Sequence, residues 1–193
     1  FYIRTLNKSN LQPAIINAIP LPKFTPNLKR HLLSRVLCLH CLTSWYHDIW
    51  QESFDPAFQK EYWSSTHPSL NQNHFRDLTP DWQRNCALRT DLERRQALLE
   101  TDVLTAQAFG LTLEELLQCY RLTFRVMRTY DQETWYDQKG RIVFTPNSSM
   151  GIGLPMKKKK DPSVTYSVNG DRHQEGLGFE EVMDLSAGTV EKT

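Results

Sequence analysis

Between Pro26 and Trp50 the apolar residues Leu28, Leu32, Val36, Leu39, Leu42, Tyr46 and Ile49 return at three- and four-residue steps. That period lines one helical face, and it predicts a single core helix from Pro26 to about Trp50. A second long helix is predicted from "TPDW": Thr79 suits the N-cap, Pro80 the first helical position, and Asp81 the positive end of the helix dipole. Its buried stripe is Leu88, Leu92, Leu99, Val103 and Ala106, with Asp91 and Arg95 as an exposed i,i+4 pair, and Gly110 stops it. Thr112 and Glu115 have the spacing of a capping box, which opens a third helix with the stripe Leu113, Leu116, Leu117, Tyr120, Phe124 and Met127. So short a link predicts that the second and third helices cross or run antiparallel as neighbours, the best-specified unit in the chain.

Elsewhere the period changes or fails. Residues 1–24 read as two extended pieces, "FYIRTL" and "AIINAIPLP", split by "NKSN" and ended by Pro20 and Pro22. Residues 51–78 mix aromatics with Pro, Ser and Asn in neither period, which predicts an irregular, partly exposed connection. "ETWYDQKGRIVFTPN", Glu133 to Asn147, predicts a β-hairpin in which Gly140 takes the left-handed turn position while Ile142 and Phe144 point to the core. Residues 146–175 are loop-like, and "GFEEVMDL" suggests a short final helix. Together these elements predict an α+β fold: a mainly helical domain with a few short strands, including one β-hairpin. The expected organisation is an extended linker from an absent upstream domain at 1–24, a helical core with hairpin at 25–145, and a loop-rich C-terminal extension at 146–193.

Composition narrows the class. The chain has 193 residues, enough for one well-cored domain, with average apolar and charged fractions and five Trp for a core. Its longest apolar run, Leu32 to Leu42, is interrupted by Ser34, Arg35 and His40, so no membrane span is expected. A formal net charge of +1 excludes binding to nucleic acid by bulk charge alone but permits a local basic patch. The chain opens at Phe1 without an initiator Met and ends on "GTVEKT" like a strand just begun, as expected of a piece of a longer polypeptide. Cys38 and Cys41 form a C-x-x-C on one helical face with no second pair at zinc-site distance, so core packing in a reducing cytoplasm is the expectation.

Familiar catalytic signatures are absent: no Walker A loop, no G-x-S-x-G, no H-E-x-x-H and no G-x-G-x-x-G after a strand. Glu114 and Glu115 sit in the first turn of a helix, where capping accounts for them. Binding chemistry remains. At the hairpin tip Tyr136, Lys139 and Arg141 combine an aromatic with two cations, which suits stacking on a base or entry into a groove. Lys157, Lys158, Lys159 and Lys160 form a run that suits neutralisation of phosphates, although a solvated lysine loop has the same composition.

The run "LRTDLERRQALLETDVLTAQAFGLTLEELLQCYRLTFRVMRTYDQETWYDQKGRIVFTPN", with "GIGLP" and "GFEEV" downstream, resembles the C-terminal part of large bacterial class I S-adenosylmethionine-dependent DNA methyltransferases. The type IIG restriction-methylase fusions and the phage-growth-limitation methylases are relatives of that kind. The opening "FYIRTLNKSNLQPAIINAIPLPKF" is similar to the stretch that leaves their catalytic domain towards the recognition half. The Asn-Pro-Pro-aromatic signature of adenine methylation is missing, since "DPSV" at 161–164 lacks the second Pro and the aromatic, and so is the glycine-bearing cofactor motif. The resemblance therefore implies a fragment that recognises duplex DNA or supports recognition, with Tyr136, Lys139, Arg141 and Lys157 to Lys160 as candidate DNA contacts. It implies no catalytic site, cofactor or metal in the fragment. S-adenosylmethionine and an adenine-specific transfer, with or without an endonuclease, belong to the presumed parent, whose remainder is the expected partner. The alternative is a structural helical domain that docks on a partner without touching DNA; its sign is an exposed apolar patch, for which 51–78 is the expected source.

Overall fold

A computed structural model describes residue 17, residues 19–123, residues 125–126, 129–130, 134–137 and 139–145, and the backbone of Leu154–Pro155. Its α-helices are α1 (Pro26–His40), α2 (His47–Ser53), α3 (Asp91–Ala108) and α4 (Leu113–Thr123), and its strands are β1 (Trp135–Tyr136), β2 (Ile142–Thr145) and β3 (Leu154–Pro155). The fold is thus α+β and mainly helical, and α1 packs along α3. Among the described residues no helix is long and apolar enough to cross a membrane. Residues 20–25 carry no regular structure; the strand expected at 1–6 and the helix at 178–185 lie outside the described residues.

The first helix is shorter than its apolar period. Thr25 caps it by accepting from Leu28 N at 3.3 Å, but it ends at His40 instead of Trp50. Three distant donors take the carbonyls at its C-terminal end: Arg94 bonds Leu39 O, Trp82 bonds Cys41 O at 2.7 Å, and Arg89 bonds Leu42 O at 2.7 Å. A 3-10 turn at Ser44–Tyr46 follows, and α2 succeeds it with Trp50 buried. The core face of α1 is also rotated from the expected stripe, to Ser34, Arg35, Leu37, Cys38 and Leu39.

Beyond the end of α2 and a 3-10 turn at Pro56–Lys60, residues 51–78 are irregular and partly exposed, as expected, but their large apolar side chains are mostly core. Phe58, Trp63, Leu70, Phe75 and Leu78 are all buried there. Backbone carbonyls that no ladder uses are taken by indole and amide donors: Trp50 Nε1 bonds Thr79 O, Gln59 Nε2 bonds Leu78 O, and Trp63 Nε1 bonds Asn71 O, at 2.8 to 3.0 Å. Tryptophan here serves two ends at once, filling volume with its ring and closing a loop with its N–H.

The second long helix begins eleven residues or so later than "TPDW" suggests, at Asp91. Thr79 donates to Asp81 O in a local turn, and the cap is Thr90: its Oγ1 accepts from Glu93 N at 3.2 Å while Glu93 returns a carboxylate oxygen to Thr90 N. Leu88 is buried, but in the segment before the helix, held by Leu88 N to Cys38 O at 2.9 Å. Leu99, expected inside, is half exposed, and Leu92, Gln96, Ala97, Glu100 and Ala106 face inward. Gly110 ends the helix at φ 74°, as its sequence position implies.

The capping box at Thr112 and Glu115 forms as expected, with Thr112 N to Glu115 Oε2 at 2.8 Å. Yet no residue of α4 is buried, so it is not half of a tightly packed pair with α3. β1 and β2 make the expected antiparallel hairpin, with Trp135 opposite Phe144, Tyr136 opposite Ile142, and a bulge between the two pairs. β3 lies parallel to β2, Phe144 beside Leu154, where the sequence suggested only loop.

Candidate functional site

The hairpin tip is packed where the sequence reading left it open. Asp137 organises the turn: its Oδ1 accepts from Lys139 N and Arg141 N, both at 2.9 Å, and Gly140 N bonds Asp137 O. Gly140 supplies the left-handed residue at φ 72°, and a Cβ there would meet Thr90 Oγ1 at 3.1 Å. Its carbonyl accepts from Leu92 N at 2.9 Å, and Ile142 N donates to Asp91 Oδ2 at 3.1 Å. The tip therefore lies against the first turn of α3 and satisfies one of that helix's unpaired donors.

The candidate contacts separate accordingly. Tyr136 is 2% exposed and belongs to the core, so its ring has no face free for a base. Arg141 pairs with the buried Asp137 carboxylate through Nη2 at 2.6 Å and Nε at 2.7 Å. Lys139 is exposed at the turn. Ile142 packs against the core and Phe144 is buried, as expected. Lys157, Lys158, Lys159 and Lys160 lie outside the described residues.

A charged cluster that the sequence reading did not single out sits between α1, α3 and the irregular segment. Arg35 is buried and donates Nε to Glu100 Oε2 at 2.7 Å, Nη1 to Glu61 Oε2 at 2.6 Å, and Nη2 to Tyr62 O at 2.7 Å. Its guanidinium also lies over the Phe75 ring, 4.8 Å from the centroid. Glu61 further accepts from His31 Nδ1 at 2.6 Å and Arg30 Nε at 3.3 Å, and Glu100 from Ser64 N, Ser64 Oγ and Gln96 Nε2. Burial pushes both carboxyls up, but the hydrogen bonds from His31 and Arg35 on Glu61, and from Gln96, Ser64 and Arg35 on Glu100, outweigh it and hold both below the usual range. The signal was present in the sequence as Arg35 interrupting the apolar run of the first helix; Glu61 and Glu100 carried none. Beside the cluster opens a cleft of about 500 Å³ whose walls include Leu28, Leu99, Val103 and Leu104.

Cys38, Cys41 and Cys86 are buried and free, and burial raises the Cys38 and Cys41 thiols, which disfavours the thiolate needed for nucleophilic or metal-binding work. Among the described residues no group of three or more His, Cys, Asp or Glu side chains is arranged to hold a metal.

Exposed apolar side chains stand on α4, as well as at Leu21, Trp45 and Tyr62. Leu113 is 67% exposed, Leu122 80% and Val126, just beyond the helix as bounded, 64%, while Leu116, Leu117 and Tyr120 are half-buried. Next to them, Leu21, Phe24, Ala106, Phe109, Leu111 and Leu116 line a second, mostly apolar groove of about 510 Å³. No protein-family model, curated protein or solved structure matches this chain.

Proposed function

We propose that the chain is a non-catalytic, recognition-side module of a bacterial DNA methyltransferase of the restriction-modification or phage-defence kind, and that it acts by docking α4 on the rest of that enzyme. The observation that carries the docking is α4: a capped, amphipathic helix on which Leu113 and Leu122 stand in solvent and no residue is buried. Burying one such leucine is worth about 1.5–3 kcal/mol, a contribution that adds to whatever else the interface buries. The word pattern from Leu88 to Asn147, quoted above, supplies the identity of the partner. In this reading S-adenosylmethionine is held by the catalytic part, duplex DNA is met by the assembled enzyme, and the setting is the cytoplasm, which suits thiols that stay free. Direct DNA contact by the hairpin is the weaker reading, because Tyr136 is core and Arg141 is engaged by Asp137.

The test places Leu113→Asp with Leu122→Asp in the chromosomal gene of the source organism and reads genomic adenine methylation by long-read sequencing. Both positions are exposed, so the purified variant should melt with the unaltered chain. The expected result is loss of a methylated motif; methylation that persists, or no motif that depends on the gene, overturns the reading.

A further inference from the structure

The bonds around Arg35 serve a structural end, stapling Glu61, Tyr62 and Ser64 to α1 and α3. Stapling does not explain His31. Its side chain is 37% exposed, it lines the cleft, and it holds Glu61 through Nδ1 at 2.6 Å. Nor does stapling explain the space. A cleft of about 500 Å³ falls in the range of small-molecule sites, roughly 300–1,000 Å³, and aliphatic walls with a few convergent polar groups are the usual make-up of such sites.

We infer that this cleft binds an uncharged planar heterocycle carrying N–H and C=O groups along one edge. The hydrogen-bond pattern fixes the first requirement. Glu61 accepts from Arg35 and Arg30 as a carboxylate, so the proton of the His31 contact is on Nδ1, and Nε2 is the ring's remaining polar atom for the polar edge of a ligand. Charge fixes the second. Arg35 is paired with Glu61 and Glu100, and Arg30 with Glu61, so these charges already answer one another and none is left over for an ionic ligand, whereas a neutral ligand needs no counter-charge. Shape fixes the third. Leu28 on α1 and Leu99 and Val103 on α3 wall the same cleft from two helices packed side by side, which suits a flat apolar body between them. Asn27 and Gln107 line it as well, and each carboxamide offers both a donor and an acceptor to a polar edge. α4 takes no part in this cleft, so the inference stands or falls independently of the docking face.

The experiment is two-dimensional NMR of the purified chain titrated with uracil, thymine and cytosine up to about 5 mM. At least one base should shift the His31 ring and the Val103 and Leu104 methyl resonances saturably. Leu99→Trp fills the cleft from a half-exposed position, and His31→Phe keeps a ring while removing Nε2; each should weaken binding at least about tenfold. The folded state of each variant is checked by its melt, and either one suffices if the other does not fold. No saturable shift with any base, or undiminished affinity in a folded variant, overturns the inference.

Discussion

Arg35 is a buried cation whose partners are two buried carboxylates, two backbone carbonyls, the Ser34 hydroxyl and an aromatic face. Such a cluster adds little net stability over an apolar equivalent, but breaking it from one side leaves charges without compensation. Arg35→Met should therefore destabilise the chain by about 3–5 kcal/mol in urea denaturation, and adding Glu61→Gln and Glu100→Gln should return part of that loss. The same groups set the acid response. Both carboxyls lie below the ordinary value of 4.5 in the folded chain, so the unfolded chain takes up protons first as the pH falls through that value. Stability is fully present above it and declines below it. His74 acts earlier. Burial pushes it below the ordinary 6.5, against the smaller upward pull of Glu93 and Asp77, and its Nε2 has no partner among the described residues. The unfolded chain binds that proton and the folded chain resists it, so stability should begin to fall below about pH 6.5. His74→Phe should reduce that early decline without abolishing it, because His67 is pushed down by burial too. Urea midpoints measured from about pH 7.5 to about pH 4 check both steps.

At the scale of elements, local rules were legible where the backbone obeys them locally. The capping box at Thr112, the Gly110 stop and the Gly140 turn all form from residues within a few positions of each other. The end of α1 does not: it is made by Trp82, Arg89 and Arg94, more than forty residues away, and no periodicity in 26–50 contains them. The start of α3 is a choice between two sequence signals of the same kind. "TPDW" loses because Trp82 and Leu88 are drawn to the α1 end, and Thr90 with Glu93 caps instead. Thr90→Ala should lower stability by about 1 kcal/mol, and Thr79→Ala by clearly less, in thermal melts of the two variants. Equal losses would contradict this assignment of the helix start. The cluster around Arg35 was half legible: a cation inside an apolar helix stripe is visible, but the partners at 61 and 100 are adjacent only once the chain has folded.

At the scale of the molecule, the two surfaces that the sequence offered have exchanged roles. The aromatic segment 51–78, expected to be the exposed patch, supplies five large buried side chains, and α4, whose apolar stripe was expected inside, has no buried residue and exposes Leu113 and Leu122. The hairpin, expected to project, is tied to α3 through Gly140, Ile142 and Asp91. That arrangement favours a module that is docked over one that reaches out. The most direct test compares two chromosomal alleles by long-read sequencing of genomic adenine methylation. Leu113→Asp with Leu122→Asp changes the two solvent-exposed leucines of α4, which lie on opposite sides of the helix, and Lys139→Glu reverses the exposed charge at the hairpin turn. Loss of the methylated motif in the first allele and its retention in the second is the predicted result; retention in the first with loss in the second would contradict the account.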